Sequence, residues 1–324
     1  MDEKKRSRQN LKKSMAEVDN DIRAALDEYI TKVLELYDSG GGSFSVNTAA
    51  RLMSATKRLE EKVKGTVEDG TVIAVDFAKK DRAAEFRPYL DEARRLLLAR
   101  GLTRAQAEAA TTLSNIVPLY GGGLDRKVID AVWYKVWPDR LNVDDRIRKL
   151  GLKTQMEVQR VMKEGIAEGM SARRMALELE EFIAGGQKAA FRLAAHTINM
   201  TYQTAQAEIS IGAKFVMGVR IVRGMYGNAS ETCEICEEHG GPADGEGKEY
   251  FKDDFGGADI DMFVMANAPA YHSYCNCGIE TIYEPAEQFV KNALSGLDEG
   301  RESYEGYKFG GDLHEQLDAD KSRR

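Results

Sequence analysis

The spacing of apolar residues predicts that most of this chain is helical. Apolar side chains recur at three- and four-residue steps over residues 14–37 and again over about 46–64, which is the spacing of one helix face. The same pattern predicts further helices over residues 83–99, 144–170, 172–183, 191–213 and 286–294. Glycine runs at 40–42, 121–123 and 185–186 interrupt the pattern and predict breaks between helices.

Three shorter stretches have the pattern of strands. Residues 70–77 (GTVIAVDF) are rich in β-branched side chains, and residues 219–223 and 277–283 alternate between apolar and polar positions. Two of the three lie in the last third of the chain. We therefore predict an α+β fold that is mainly helical, with a small β-containing region near the C-terminus that also holds a zinc knuckle.

The breaks divide the chain into four predicted segments. These are an N-terminal helical arm (1–42), a helical domain of unknown identity (43–142), a domain that carries the cysteines (143–285), and a short helix with an extended tail (286–324). The helix of the first segment has two interpretations, a core helix or an arm that docks on a neighbouring subunit, because an amphipathic stripe does not reveal which surface it meets.

Charge and hydropathy exclude some classes of protein. The 324 residues carry a net charge of −7, which argues against a chain built mainly to neutralise nucleic-acid phosphates. A basic patch near the start is the exception and predicts either a DNA contact or a solvated terminus. The patch consists of Lys4, Lys5, Arg6, Arg8, Lys12 and Lys13.

The chain has no apolar run as long as a membrane span, so we expect no membrane contact. Its opening charges are not followed by an apolar segment, which argues against a secretory signal. We therefore expect the protein to be made in the cytoplasm, where thiols stay reduced and clustered cysteines favour metal over disulfide.

All four cysteines fall into two short clusters. Cys233 and Cys236 form one, and Cys275 and Cys277 form the other together with His272. Two residues between Cys233 and Cys236 let one tight turn direct both sulfurs at a single ion. Soft thiolates and an imidazole on two short arms are the ligands of structural zinc, so the sequence predicts bound Zn²⁺. A disulfide or unpaired thiols are the alternatives.

A structural zinc takes four ligands, and the clusters offer five. The spacing favours Cys233, Cys236, His272 and Cys275, with Cys277 as the substitute. A catalytic zinc would need an open position and a general base, for which Glu234 or Glu237 would be candidates. The sequence shows no phosphate-binding loop, dinucleotide fingerprint or serine-elbow motif. We expect no catalytic or cofactor-binding residues beyond the metal ligands, and no enzyme.

The motifs of residues 144–285 resemble those of the phage Mu F-like minor head proteins, also called phage head morphogenesis proteins. A corner at Gly169-Met170-Ser171 is followed by a helix rich in threonine and alanine, then by a strand and the run CEICEEHGG, and finally by His272-Ser273-Tyr274-Cys275-Asn276-Cys277. Ser273 and Asn276 depart from the proline and arginine usual in the family, as does the run 197–199 in the helix. The metal ligands are kept.

This resemblance implies a structural minor head protein of a tailed phage, present in the virion and in the host cytoplasm during assembly. It would act at or near the portal in head assembly, DNA packaging or DNA delivery, as part of a large assembly with the portal protein and the major capsid protein as partners. A head-to-tail connector or adaptor ring protein is the alternative, and a zinc-dependent nuclease or hydrolase is a further one.

Overall fold

The fold is α+β and mainly helical, with a small three-stranded sheet, as the sequence predicts. The structure is a computed structural model and describes residues 3–39, 45–117, 120, 123–137, 139–223, 234–241, 247–252, 275, 277–298, 303–304 and 307–308. The helices in these ranges are α1 (Glu3–Ser39), α2 (Val46–Ala99), α3 (Arg104–Ala110), α4 (Leu113–Ile116), α5 (Leu124–Trp133), α6 (Val143–Ala167), α7 (Ala172–Gly212), α8 (Glu234–Gly240) and α9 (Ala286–Asp298). The strands are β1 (Val216–Val222), β2 (Lys248–Phe251), β3 (Gly278–Tyr283), β4 (Ser303–Tyr304) and β5 (Tyr307–Lys308).

The chain forms two compact units. One, here called the bundle unit, consists of residues 8–74 and 129–199. The other, here called the sheet unit, consists of residues 1–7, 75–128 and 200–324. The four segments predicted from the sequence remain a prediction.

In the bundle unit, side-chain contacts join α1 to α2, α2 to α6 and α7 to α1. The Tyr29 hydroxyl lies 3.2 Å from Thr56 Oγ1 between α1 and α2, and Lys64 Nζ lies 2.9 Å from Asp144 Oδ1 between α2 and α6. Gln187 on α7 donates to Asp19 on α1 at 3.2 Å. Between these polar contacts, the helices bury their apolar stripes against one another, as amphipathic helices of a bundle do. The core includes Ile22, Val33, Leu52, Val63, Val158, Met162, Met175 and Leu179.

The corner between α6 and α7 forms where the sequence predicts it. Gly169 has a φ of +67°, a conformation that favours glycine. Ser171 Oγ accepts a hydrogen bond from the Arg174 backbone N–H at 3.3 Å and thereby caps α7. At its other end α6 begins with a capping box between Asn142 and Asp145.

The prediction of a strand over residues 70–77 is wrong, because these residues lie within α2. Val67, Thr71, Ala74 and Ala78 are buried while Val72 is half exposed, so the apolar positions follow helical spacing. Gly70 does not mark a turn: a Cβ there would lie 2.5 Å from Ile198 Cδ1. Tertiary packing on the buried face outweighs the weak strand propensity of the β-branched residues.

The predicted break at residues 185–186 is also wrong, because α7 is continuous from Ala172 to Gly212. Each glycine inside a helix costs only about 1 kcal/mol relative to alanine. The buried residues Leu179 and Ala190 on either side anchor the helix through this point.

In the sheet unit, the strands run antiparallel in the order β2-β1-β3. Val219 and Ile279 pack against Ala207 and Ile211 of α7, which fixes one face of the sheet on that helix. Further along the sheet, Ile221 packs against the three described cysteines. The sheet therefore holds the cysteines at one end of an apolar layer.

A cluster of aromatic rings binds the C-terminal part of α2 to this sheet. Phe215 stacks on Tyr89 at 4.7 Å between ring centroids and meets Phe86 edge to face at 5.0 Å. Tyr283 of β3 stacks on Tyr89 at 5.2 Å, and Phe289 of α9 completes the group. Such pairs stabilise by about 0.5–1.5 kcal/mol each beyond the area they bury.

The two aromatic residues at the end of α5 differ in burial. The aromatic stretch 128–137 predicts core packing for Trp133, Tyr134 and Trp137. Trp133 is buried, whereas Tyr134 is largely exposed, so its predicted core position is wrong. Trp137 lies edge to face on the buried ring of His196, at 4.6 Å between centroids. No helix in the described part of the chain has the length and apolar character needed to cross a membrane.

Candidate metal centre

Three cysteine side chains meet in the sheet unit. The Sγ atoms of Cys236, Cys275 and Cys277 all lie within 4.8 Å of one another, and each residue is at most 7% exposed. Cys236 Sγ and Cys275 Sγ are 3.8 Å apart, far beyond the length of a disulfide bond, about 2.05 Å. A tetrahedral zinc with Zn–S bonds of about 2.3 Å separates its sulfur ligands by about 3.8 Å. The cluster is therefore close enough to bind a metal ion.

Two elements present these thiols. Cys236 lies in the first turns of the short helix α8, and Cys275 and Cys277 directly precede β3. Residues at positions i and i+2 of an extended chain point to the same side, which agrees with the burial of Cys275 and Cys277 in one cluster. Ile221 of β1 and the ring of Tyr250 enclose the cluster. The thiols thus sit in an apolar pocket.

Three side chains hold the C-terminal end of α8 in place. The Tyr250 hydroxyl donates to the His239 carbonyl at 2.9 Å, and Lys248 Nζ donates to the Glu238 carbonyl at 3.1 Å. Arg223 Nη1 donates to the Gly241 carbonyl at 3.2 Å. Helix ends leave carbonyl groups without partners inside the helix. By accepting these bonds, α8 becomes fixed to β1 and β2, and the position of Cys236 is fixed with it.

A glycine makes room for this attachment. Gly247 precedes β2 with a φ of +97°, and a Cβ there would lie 2.6 Å from the Ile221 carbonyl oxygen. The chain can therefore pass close to β1 at this point only without a side chain.

Helices α2 and α7 hold the other arm of the cluster. The guanidinium of Arg82, fully buried, donates to the Ile279 carbonyl at 2.9 Å and to Gln206 Oε1 at 3.0 Å. Gln203 Nε2 makes a longer contact, 3.5 Å, with the Cys277 carbonyl. Arg82 is balanced by Glu85, whose Oε2 lies 2.5 Å from Nη1. A buried charge needs such a partner, so the start of β3 is anchored through an ionic and hydrogen-bonded group.

The chemistry of the three thiols depends on whether an ion is bound. The pKa of the Cys277 thiol is raised, first by its hydrogen bond with Cys275 and then by burial. Three thiols crowded in an apolar pocket resist forming several negative charges. A dication would reverse this preference and deprotonate the thiols that it binds. Without an ion the thiols therefore favour their neutral form, and a bound cation would stabilise them as thiolates.

The structure brings together three of the five candidate ligands. Cys233 and His272 lie outside the described residues, as do most residues between the two arms. Both Cys275 and Cys277 face Cys236, whereas the sequence favours Cys275 and keeps Cys277 as the substitute. Of the candidate bases, Glu237 lies 3.8 Å from the Arg223 guanidinium, and Glu234 is exposed in the first turn of α8.

The supporting residues were not found by sequence reasoning. Arg223 is the last residue of the predicted strand 219–223, and Tyr250 lies in β2, which the sequence does not predict. Their long polar side chains resemble those of any strand end. Arg82 lies on a helix rich in charged residues, and its one local signal is a position four residues from the apolar Ala78 and from the apolar Phe86. Their contacts join positions far apart in the chain, so spacing alone does not identify their partners.

No family model matches this chain, and neither a curated protein nor a solved structure matches it significantly. The resemblance to the Mu F-like head proteins therefore depends on the motif residues themselves.

Proposed function

We propose that the chain is a structural minor head protein of a tailed phage and that its cysteine cluster binds a structural Zn²⁺. The observation that carries the metal proposal is the meeting of three buried thiols, two of them at the sulfur spacing of a tetrahedral site. Soft thiolate ligands select zinc among the common divalent cations of the cytoplasm.

The fourth ligand comes from Cys233 or His272 in this proposal. Cys233 directly precedes α8, and His272 lies three positions before Cys275. With His272 as the fourth ligand the site carries a net charge near −1, and with Cys233 a net charge near −2. Either set fills four positions with protein ligands, which is the arrangement of a structural site rather than a catalytic one.

The role of the ion follows from what it joins. It links α8 to the start of β3, which are separated by a long polar segment rich in glycine and acidic residues. A segment of this composition buries too little apolar surface to fold by itself. The zinc would hold the two ends of this segment together. That is a structural role, which suits an assembly protein better than an enzyme.

The role in the phage head is supported by the order of the motifs over residues 144–285 and by the site that they build. Portal protein and major capsid protein are the proposed partners. The test is mass spectrometry of purified virions of the phage that encodes this chain, followed by localisation of the labelled subunit in the particle. The proposal expects few copies near the portal vertex. Absence from mature and immature heads alike would contradict it.

A further inference from the structure

A groove runs along the outer side of helices α1 and α2 in the bundle unit. It has a volume of about 320 Å³ and extends from Ala25 to Leu36 on α1, which is about 16 Å of helix. Buried side chains form its floor, among them Tyr29, Ala55 and Leu59. A groove with an apolar floor between two helices is a shape that can bind a helix of a partner.

The charged side chains on the rim give this groove a net positive charge. Glu28 pairs with Lys62, and Glu35 pairs with Lys32 at 2.5 Å, so these four charges balance. Arg51 and Arg58 also line the groove, and within the described residues neither forms an ion pair. They are exposed and seven positions apart, so they lie on the same face of α2. The groove thus presents an apolar floor beside two guanidinium groups that bind carboxylates well.

The same unit carries a surface of opposite sign. On α7, Leu177 is 60% exposed, and Glu180 and Glu181 are exposed at the positions three and four residues later. These three side chains share one face of the helix. One turn earlier, Arg174 is paired with Glu178. Arg173 is also exposed and lies on this face, four positions before Leu177. The surface therefore offers an apolar side chain next to two carboxylates and one guanidinium, and its net charge is negative.

Another exposed apolar ridge in the described part of this unit, on α6, fits less well. Leu152 and Met156 on α6 are 52% and 72% exposed, but they lie beside Lys149 and Lys153. Their neighbours have the same sign as Arg51 and Arg58, so docking this ridge in the groove would place like charges together. Like charges across an interface oppose association.

We propose that the groove between α1 and α2 receives the Leu177–Glu180–Glu181 face of α7 from a second copy of this chain. Leu177 enters the apolar floor, and the two carboxylates meet Arg51 and Arg58. An apolar anchor in a pocket with charged groups around it is the usual arrangement of a strong contact. Because groove and acidic face are different surfaces, each copy can bind two others, and the association continues until a ring closes or a filament grows.

Sedimentation velocity of the full chain tests this, with wild type compared with Arg51→Glu/Arg58→Glu and with Leu177→Asp. Wild type associates as its concentration is raised to about 100 µM, and each variant associates at least about tenfold more weakly. The control Lys12→Glu/Lys13→Glu changes charge equally on exposed residues of α1 and leaves association unchanged. Far-UV circular dichroism of each variant verifies that the helices are folded.

Mixing the two variants distinguishes head-to-tail association from a symmetric contact. The Arg51→Glu/Arg58→Glu variant keeps its acidic face, and the Leu177→Asp variant keeps its groove, so a mixture forms a capped dimer and nothing larger. A wild-type chain that remains monomeric, association that persists with Arg51→Glu/Arg58→Glu, or a mixture without dimers would each overturn the proposal. A chain that combines Arg51→Glu/Arg58→Glu with Glu180→Arg/Glu181→Arg regains association and provides a further test should Leu177→Asp fail to fold.

Discussion

Cys236 Sγ and Cys275 Sγ lie 3.8 Å apart although the two residues are 39 positions apart in the sequence. The cysteines belong to different elements, α8 and the segment before β3, and each element is held by its own set of hydrogen bonds. Protein contacts that position ligands before the ion arrives are typical of metal sites with well-defined geometry.

The anchor of α8 is expected to affect metal affinity. Tyr250→Phe removes the hydroxyl that donates to the His239 carbonyl while it keeps the ring against the cysteines. We expect zinc affinity to fall by about tenfold, because loss of an outer support lets a ligand move. Competition with a chromogenic chelator measures this. Tyr134→Phe, which alters an exposed ring, is the control, and equal affinities for the two variants would show that Tyr250 does not support the site.

The ionic group around Arg82 is expected to be important for stability. Arg82→Met removes the fully buried guanidinium that pairs with Glu85, and Gln206 and the Ile279 carbonyl lose a donor. Removing one partner of a buried pair costs about 3–5 kcal/mol. Urea unfolding measures this loss.

The matched control is Arg95→Met on the same helix, where Arg95 pairs with Glu92 at the surface. Exposed pairs contribute about 0–1 kcal/mol, so this variant should unfold close to wild type. Similar losses for both variants would mean that the Arg82 group is not a special feature of the fold.

A glycine in α7 offers a stabilising change. Gly185 lies inside the helix, and a Cβ added there would meet nothing within 4 Å. Gly185→Ala should raise the free energy of unfolding by about 0.5–1 kcal/mol, because alanine restricts the unfolded chain and favours the helix. Gly70→Ala, where a Cβ would lie 2.5 Å from Ile198 Cδ1, should destabilise instead. Thermal unfolding distinguishes the two, and a lower midpoint for Gly185→Ala would refute the continuous helix.

The bundle unit is expected to lose stability at high pH through Tyr29. Burial raises the pKa of this hydroxyl from 10.0 to about 12. The folded state therefore holds the proton more tightly than the unfolded state. The contribution is complete below pH 10 and disappears as the pH rises from 10 to 12, with a size of about 3 kcal/mol.

Tyr29→Phe tests this dependence, since it cannot ionise. Its stability relative to wild type should rise as the pH increases from 9 to 12, even though it loses the bond to Thr56. Urea midpoints over this range measure the difference between the two proteins. A difference that stays constant with pH would show that Tyr29 does not contribute.

Local patterns were enough to predict most helices and the two strands near the cysteines. The errors arose where local and tertiary preferences conflict. Residues 70–77 are rich in β-branched side chains, yet their apolar positions repeat at helical spacing, and packing against the bundle decided the outcome. The pair Gly185-Gly186 is typical of a helix break. The helix continues through it because Leu179 on one side and Ala190 on the other are buried.

The candidate site was predictable only in part, for a related reason. The clustered cysteines predict a metal site because the ligands within each cluster lie close together in the sequence. Arg82 and Tyr250 support the site through contacts that only the folded chain creates. The choice between Cys275 and Cys277 likewise depends on where both sulfurs face, and the structure places both beside Cys236.

Metal analysis of the full chain purified without chelator, combined with X-ray absorption at the zinc edge, tests whether the cysteine cluster binds zinc. We expect one zinc per chain with at least three sulfur ligands at about 2.3 Å. Cys236→Ser, Cys275→Ser and Cys277→Ser should each lose the ion, and so should one of Cys233→Ser and His272→Ala. A chain without metal, or one whose zinc has no sulfur neighbours, would contradict zinc binding by this cluster.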